Sequence, residues 1–375
     1  MYQIINKITK SLTPRQNLVE IKFTLSGSAQ GTPPGPVRLR KLSGSRIPGH
    51  RGMLFDISCC IMTDTTQATI KKEKISSPSD GLEISILLCG PAAGTPKGIV
   101  QIVHGMCEHK ERYIPFMEYL AANGFFSIIH DHRGHGESVR CSEDLGYFYE
   151  GGWTAMIDDI KAVTERVRTE HPDLPLILLG HSMGSMAVRS FAKRYDDMIS
   201  GLIVCGSPSR NSGAGIGKLV ARLYAARAGE KCRPKIIQSL AFGSFNRRFR
   251  HEGSPNAWVC SDPEIVRNYD ADPLCNFQFT AHGFLNLFTI MQDAYSISGW
   301  RPRNPSMPVL FISGEDDPCL LSPRKFRQAV STMQRAGYTD VRSRLYPSMR
   351  HEILNEKGKE AVWGDVLSFC KGLVD

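Results

Sequence analysis

The sequence predicts an α/β fold: a mostly parallel central sheet flanked by helices, with a mainly helical cap inserted between two strands. Three observations carry that prediction. Runs such as "GIVQIVHG", "LILLGH" and "GLIVCG" are nearly continuous in apolar residues rather than alternating, the pattern of strands covered on both faces. Segments with helical spacing of apolar residues separate these runs. The alternation lapses between about Ser207 and Arg301 and then resumes.

The regular pattern begins near residue 70. "EKISSPSDGLEISILLCGP" reads as two short strands joined at Asp80-Gly81, a hairpin signal. The buried strand in Gly98–Gly105 is followed by the helical spacing of "RYIPFMEYLAANG", which stops at Asn123-Gly124. "FFSIIHDHRGHGES" is a second buried strand running into a polar, glycine-punctuated loop. "WTAMIDDIKAVTERVRTEHP" is an amphipathic helix closed by Pro172, and "LILLGHSMGSMAVRSFAKRY" is a strand followed by a helix. In the insertion, "GKLVARLYAARAG" and "HGFLNLFTIMQDAY" read as helices. "PVLFISG", "SPRKFRQAVSTMQRAG", "VRSRLYP" and "EAVWGDVLSFCKGLV" then restore strand, helix, strand and helix. The domain division expected is a disordered basic extension over 1–61, a core over 62–206 and 302–375, and a cap over 207–301.

Charge follows this division. Residues 1–61 carry nine Lys and Arg against Glu20 and Asp56, a net +7 that leaves only +2 of the overall +9 for the rest. Residues 207–250 carry ten Lys and Arg against Glu230 alone. No aromatic-studded basic groove accompanies either cluster, so nucleic acid is not an expected partner. A basic cap suits an anionic head group, and transient membrane-surface contact through the cap is expected. Eleven cysteines without a spacing framework argue against a disulfide scaffold or a zinc site. No apolar run approaches the ~20 residues of a transmembrane segment, and without a continuous apolar stretch near residue 1 a secretory signal is not expected. The expected location is cytoplasmic.

The chemistry starts at Gly180-His181-Ser182-Met183-Gly184, a G-x-S-x-G motif between a strand and a helix. So sharp a turn strains the serine backbone, and flanking glycines remove the Cβ atoms that would collide. Ser182 Oγ is then lifted clear of the sheet, above the positive end of a helix. A serine nucleophile needs a base, and the base needs an orienting carboxylate. "RLYPSMRHEIL" supplies His351 as the base. "VLFISGEDDP" supplies Asp316 and Asp317, of which Asp317, three residues past Gly314, fits the spacing better. His181 reads as pointing away from the elbow. His130, His132 and His135 read as loop residues bonded to backbone. The oxyanion of an acyl transfer needs two fixed N–H donors, expected from Met183 and from Met106 in "VHGMCEH". Phe277, Phe279, Phe284 and Phe288 are either cap core or lining for an acyl chain; no substrate-binding residue is singled out.

"HGMCEHKERY", "HDHRGHGES", "GHSMGS", "SGEDDP" and "YPSMRHEILNE" together resemble the marker segments of α/β-hydrolases of the monoacylglycerol lipase and lysophospholipase group, often filed with serine aminopeptidases. The resemblance runs from about residue 75 to the C-terminus. It implies the α/β-hydrolase fold, Ser182 as nucleophile, Asp317 and His351 as its partners, and Met106 and Met183 as oxyanion donors. The function expected is serine carboxylic-ester hydrolysis of a small acyl ester, a lysophospholipid or monoacylglycerol, with no metal or organic cofactor. The alternatives are a serine aminopeptidase or amidase, or a hydrolase-shaped binding protein that has lost catalysis.

Overall fold

The computed structural model describes residues 68–211 and 213–374; the extension expected over 1–61 lies outside the described residues. The strands are β1 (Thr69–Ser76), β2 (Glu83–Gly90), β3 (Ile99–Val103), β4 (Phe126–His130), β5 (Leu176–His181), β6 (Gly201–Cys205), β7 (Val309–Gly314) and β8 (Val341–Tyr346). They form one eight-stranded sheet in the order β1-β2-β4-β3-β5-β6-β7-β8. The β1–β2 hairpin turns at Asp80-Gly81, where Gly81 takes φ +68°. β2 also runs antiparallel to β4, and every pair from β4 onward is parallel.

Continuous apolarity in the central strands has a direct packing reason. Leu176 and Leu178 of β5 enter one core, while Ile177 and Leu179 enter the other. Each successive side chain therefore meets a different layer of helices. α1 (Ile114–Ala122) and α9 (Lys359–Lys371) cover one face through Phe116, Leu120, Val362 and Val366. α2 (Gly152–Glu170), α3 (Met183–Tyr195) and α8 (Pro323–Ala336) cover the other through Ile160, Val188 and Met333. Because β3 and β5 to β8 are parallel, the loops leaving their ends all emerge at one edge of the sheet. That edge is where ligands meet open α/β sheets.

Between β6 and β7 the chain builds α4 (Ala214–Ala228), α5 (Lys235–Phe242), α6 (Pro263–Ala271) and α7 (Ala281–Tyr295). Neither α5 nor α6 is named by the sequence reading. α6 has a legible start, since Asp262 accepts from the Glu264 amide and Pro263 occupies the first turn. Nine residues, however, give too short a period to stand out. α7 is more than cap: Phe284, Ile290 and Ala294 join the principal core. Phe279 and Phe284 are fully buried and belong to that packing, whereas Phe277 and Phe288 are half-buried against it.

His130 is the last residue of β4 rather than a loop residue, and neither ring nitrogen has a hydrogen-bond partner among the described residues. His132 and His135 do bond backbone, donating to the His104 and Arg133 carbonyls at 3.0 and 3.2 Å. All three are buried with His104, and ring centroids lie 4.5 Å apart for His104–His132 and 4.9 Å for His130–His132. Burial drives His130 down to about 3 and His135 to about 4. An unfolded chain protonates its histidines below about pH 6.5. The fold resists that protonation, so this contribution is full above pH 6.5 and is lost as pH falls from there through 4 to 3. His130→Phe keeps the ring volume and deletes one titrating group. Its melting temperature relative to wild type is expected to rise between about pH 7.5 and about pH 5. A difference independent of pH would contradict this account.

Candidate active site

The turn from β5 into α3 takes a single residue. Ser182 adopts φ +52° and ψ −116°, a conformation that side-chain-bearing residues rarely hold. Close backbone packing enforces it. A Cβ on Gly180 would lie 2.4 Å from the Gly184 carbonyl oxygen, and one on Gly184 would lie 2.1 Å from that of Val103. The Ser182 amide donates to the Cys205 carbonyl at 3.0 Å, which pins the turn to the end of β6. The hydroxyl makes no cap to α3 and is free to face another loop.

That loop follows β8. His351 Nε2 lies 2.8 Å from Ser182 Oγ, and His351 Nδ1 lies 2.9 Å from Asp317 Oδ2. Asp317 and His351 are buried, and Asp317 also accepts from the Cys319 amide and the Ser313 hydroxyl. Asp317 Oδ1 thus takes the Cys319 amide, while Oδ2 is shared by the Ser313 hydroxyl and the imidazole. Asp316 goes elsewhere: its carboxylate pairs with Arg248 at 2.7 Å near the surface. Gly314 allows the two loops to touch, since a Cβ there would lie 2.1 Å from the Arg350 carbonyl oxygen.

The loop after β3 completes the arrangement. A Cβ on Gly105 would lie 2.9 Å from Ser182 Cβ, so the backbone entering Met106 runs directly against the elbow. Among the described residues, the Met106 and Met183 amides donate no hydrogen bond. His104 holds the loop: its Nε2 accepts from the His132 amide at 3.0 Å, leaving Nδ1 to donate to the Gly105 carbonyl at 2.8 Å. The hydroxyl, imidazole, carboxylate and two adjacent amides expected from the sequence therefore lie at one edge of the sheet.

The family described as serine aminopeptidase, S33, matches residues 94–358, which is most of the chain. The chain belongs to this family. Among its relatives, monoacylglycerol lipase from Mycolicibacterium smegmatis is 29% identical over 277 residues, 73% of this chain and 88% of the relative. Phospholipase YtpA from Bacillus subtilis is 31% identical over 113 residues, 30% of this chain and 41% of that protein. A thermostable carboxyl esterase from Bacillus coagulans is 27% identical, with a TM-score of 0.75 over 82% of this chain and 99% of that one. The α/β-hydrolase fold is shared throughout this set.

In this S33-family chain the site also uses residues that the sequence reading passed over. His181 does not point away from the elbow. Its ring is buried between Glu108 and the His351 carbonyl, at 3.0 and 3.2 Å. Glu108 meets Arg112, which in turn grips Glu352 with two bonds of 2.7 and 2.6 Å. The signal for this network is a run of charged residues, Glu108 to Arg112, just after a buried strand, and their partners are distant in the chain. Two groups of potential metal ligands converge among the described residues. One is Asp317 and His351 with Cys319. The other is His109, Asp272 and Cys275, where His109 already bridges Glu111 and Asp272 at 2.8 Å each.

The inserted segment covers the site through residues 252–261. Arg350 pairs with Glu252 and donates to the Ala257 and Cys260 carbonyls. The Glu352 amide donates to the Val259 carbonyl at 2.8 Å, and Glu356 accepts from the Ser261 amide at 2.9 Å. The Trp258 ring stands 5.2 Å from that of His351. Among the described residues no helix is long and apolar enough to cross a membrane.

Proposed function

We propose that this chain is a serine carboxylic-ester hydrolase working through an acyl-enzyme, with monoacylglycerols or lysophospholipids as its substrate class. The reading rests on the relay from Ser182 through His351 to Asp317, with contacts of 2.8 and 2.9 Å. His351 removes the Ser182 proton as Oγ attacks the ester carbonyl, and Asp317 stabilises the imidazolium that forms. The developing oxyanion is received by the Met106 and Met183 amides, aided by the N-terminal end of α3. His351 then returns its proton to the departing alcohol, leaving the acyl group on Ser182. A water molecule, deprotonated by His351, attacks the acyl carbon; the bond to Ser182 Oγ breaks, His351 returns the proton to Oγ, and the acid leaves. Every step uses groups of this chain, so the reading needs no metal or organic cofactor.

The substrate class draws support from the relatives, a monoacylglycerol lipase and a phospholipase by name, and from the cap expected over 207–301. On α4, Ile216, Leu219 and Leu223 recur at spacings of three and four and stand exposed, as do Ile236 and Leu240 on α5. Ile216 and Leu240 are 70% and 77% exposed, which is wasteful unless something apolar covers them. Exposed Arg222, Arg227 and Lys235 stand among them. This combination suits transient contact with an anionic membrane surface. Binding to vesicles rich in phosphatidylglycerol is expected, and weakening it should follow from Ile216→Ser with Leu240→Ser; equal binding by that variant argues against the surface. A cytoplasmic location belongs to the same reading and rests on the unframed cysteines.

Peptide hydrolysis at a free N-terminus is less well supported. It needs a cap carboxylate free to hold an ammonium group. Glu252 is paired with Arg350, Asp262 caps α6, and Glu264 stands exposed on the first turn of α6. Glu230 lines a surface cavity of about 430 Å³ with Tyr147, Trp153 and His282, and that cavity is lined by none of Ser182, Asp317 and His351. The binding-protein alternative lacks support, since all three relay side chains are present. A panel of monoacylglycerols, lysophospholipids, short esters and aminoacyl amides on purified protein tests the reading. Turnover of the long-chain acyl esters is expected, and cleavage of amides alone would reject it.

A further inference from the structure

Glu108 and His181 belong to neither the nucleophile, the base nor its carboxylate, yet both are buried where the loops meet. His181 Nδ1 lies 3.0 Å from a Glu108 oxygen, and Nε2 lies 3.2 Å from the His351 carbonyl oxygen. Both partners can only accept. A neutral imidazole carries one N–H and one lone pair, so it would turn a lone pair toward an acceptor on one side. With no room for that mismatch in a buried site, the doubly protonated ring is the form that satisfies both contacts.

The surroundings are built for that charge. Glu108 is ionised: burial pushes its carboxyl upward, but the His181 bond and charge, Arg112 and the Gly105 amide outweigh burial and hold it well below the usual range. Burial likewise pushes His181 downward, and the Glu108 bond and charge outweigh it. Arg112, partly buried, bridges Glu108 and Glu352, so two cations alternate with two buried anions. Such charges are tolerated inside a protein only when fully paired in this way.

We infer that Glu108 and an imidazolium at His181 form a buried ion pair that positions the oxyanion loop and the base together. This rests on the proposal that Ser182 and His351 are nucleophile and base. One carboxylate oxygen makes both connections. Glu108 Oε1 accepts from the Gly105 amide, immediately before Met106, and from the Tyr113 hydroxyl, and it meets His181. Through His181 it reaches the backbone of His351. There is no slack at this junction: a Cβ on Gly105 would lie 2.6 Å from the Glu108 carboxylate and 3.2 Å from His181 Nδ1. The two are positioning residues, since they set the separation between the base and the amide donor without touching substrate.

The test begins with unmutated full-length protein labelled with ¹⁵N-histidine at neutral pH, the His181 signals being assigned by their loss in His181→Gln. Protonation of both His181 ring nitrogens is expected, and a single protonated nitrogen overturns the inference. Glu108→Gln keeps the shape and removes the charge. It is expected to lower kcat about 100-fold, the scale of a small misplacement of reacting groups, with KM unchanged. Labelling of Ser182 by a fluorophosphonate should slow in parallel yet reach completion. A merely structural loss would lower the melting temperature without separating kcat from KM, and wild-type kcat and labelling rate in Glu108→Gln also overturn the inference. Failure of wild-type Ser182 to label at all would instead remove the nucleophile assignment itself.

Discussion

Replacing Ser182 by alanine is expected to lower kcat for an acyl ester by on the order of 10⁶-fold. The variant keeps Cβ and therefore the strained turn, which is enforced by Gly180 and Gly184 against neighbouring backbone and not by the hydroxyl. It loses one contact, the 2.8 Å bond to His351, worth about 1 kcal/mol to stability. Folding should survive while chemistry does not, because nothing else in contact with His351 Nε2 can carry the acyl group. Hydrolysis of a p-nitrophenyl acyl ester and a melting curve on the same preparation separate the two effects. Undiminished turnover by a folded variant would end the assignment.

The second large effect is expected at Asp317. Asparagine there is nearly isosteric, but its amide can present N–H groups where the carboxylate accepts from His351 Nδ1. The imidazole would then favour the tautomer with its proton on Nε2, facing Ser182 Oγ with nothing to accept the hydroxyl proton. A loss of about 10⁴-fold in kcat is expected from this change. Asp316→Asn is the matching control. Asp316 pairs with the largely exposed Arg248, and such surface pairs contribute about 0–1 kcal/mol. Its kcat should stay at the wild-type level. If the two variants exchange these outcomes, the carboxylate of the relay has been misassigned between adjacent residues.

The parallel sheet was readable because its central strands are buried on both faces. "LILLGH" and "GLIVCG" have no polar side to confuse with a helix, and G-x-S-x-G marks the edge where their loops gather. Asp317 and His351 were readable from their place after later strands, since the geometry of a parallel sheet puts every such loop on one side. The His181 contact was not readable. Its partners are Glu108 and a backbone carbonyl, 73 and 170 residues away, and no local period records such pairs. His130 failed for a different reason: a polar residue at a strand end looks like the start of a loop, yet the sheet buries it without a partner. α5 and α6 were missed because eight and nine residues give barely two turns of period.

The seam between residues 252–261 and the loop bearing His351 divides the insertion into parts with unequal freedom to diverge. Trp258, Val259 and Ser261 are tethered to the neighbours of the imidazole, so change there is felt at the reacting atoms. α4 rests chiefly on α7 and presents its outer face to solvent. A cassette spanning α4 and α5 can therefore drift in composition, or be exchanged between homologues, while the relay keeps its spacing.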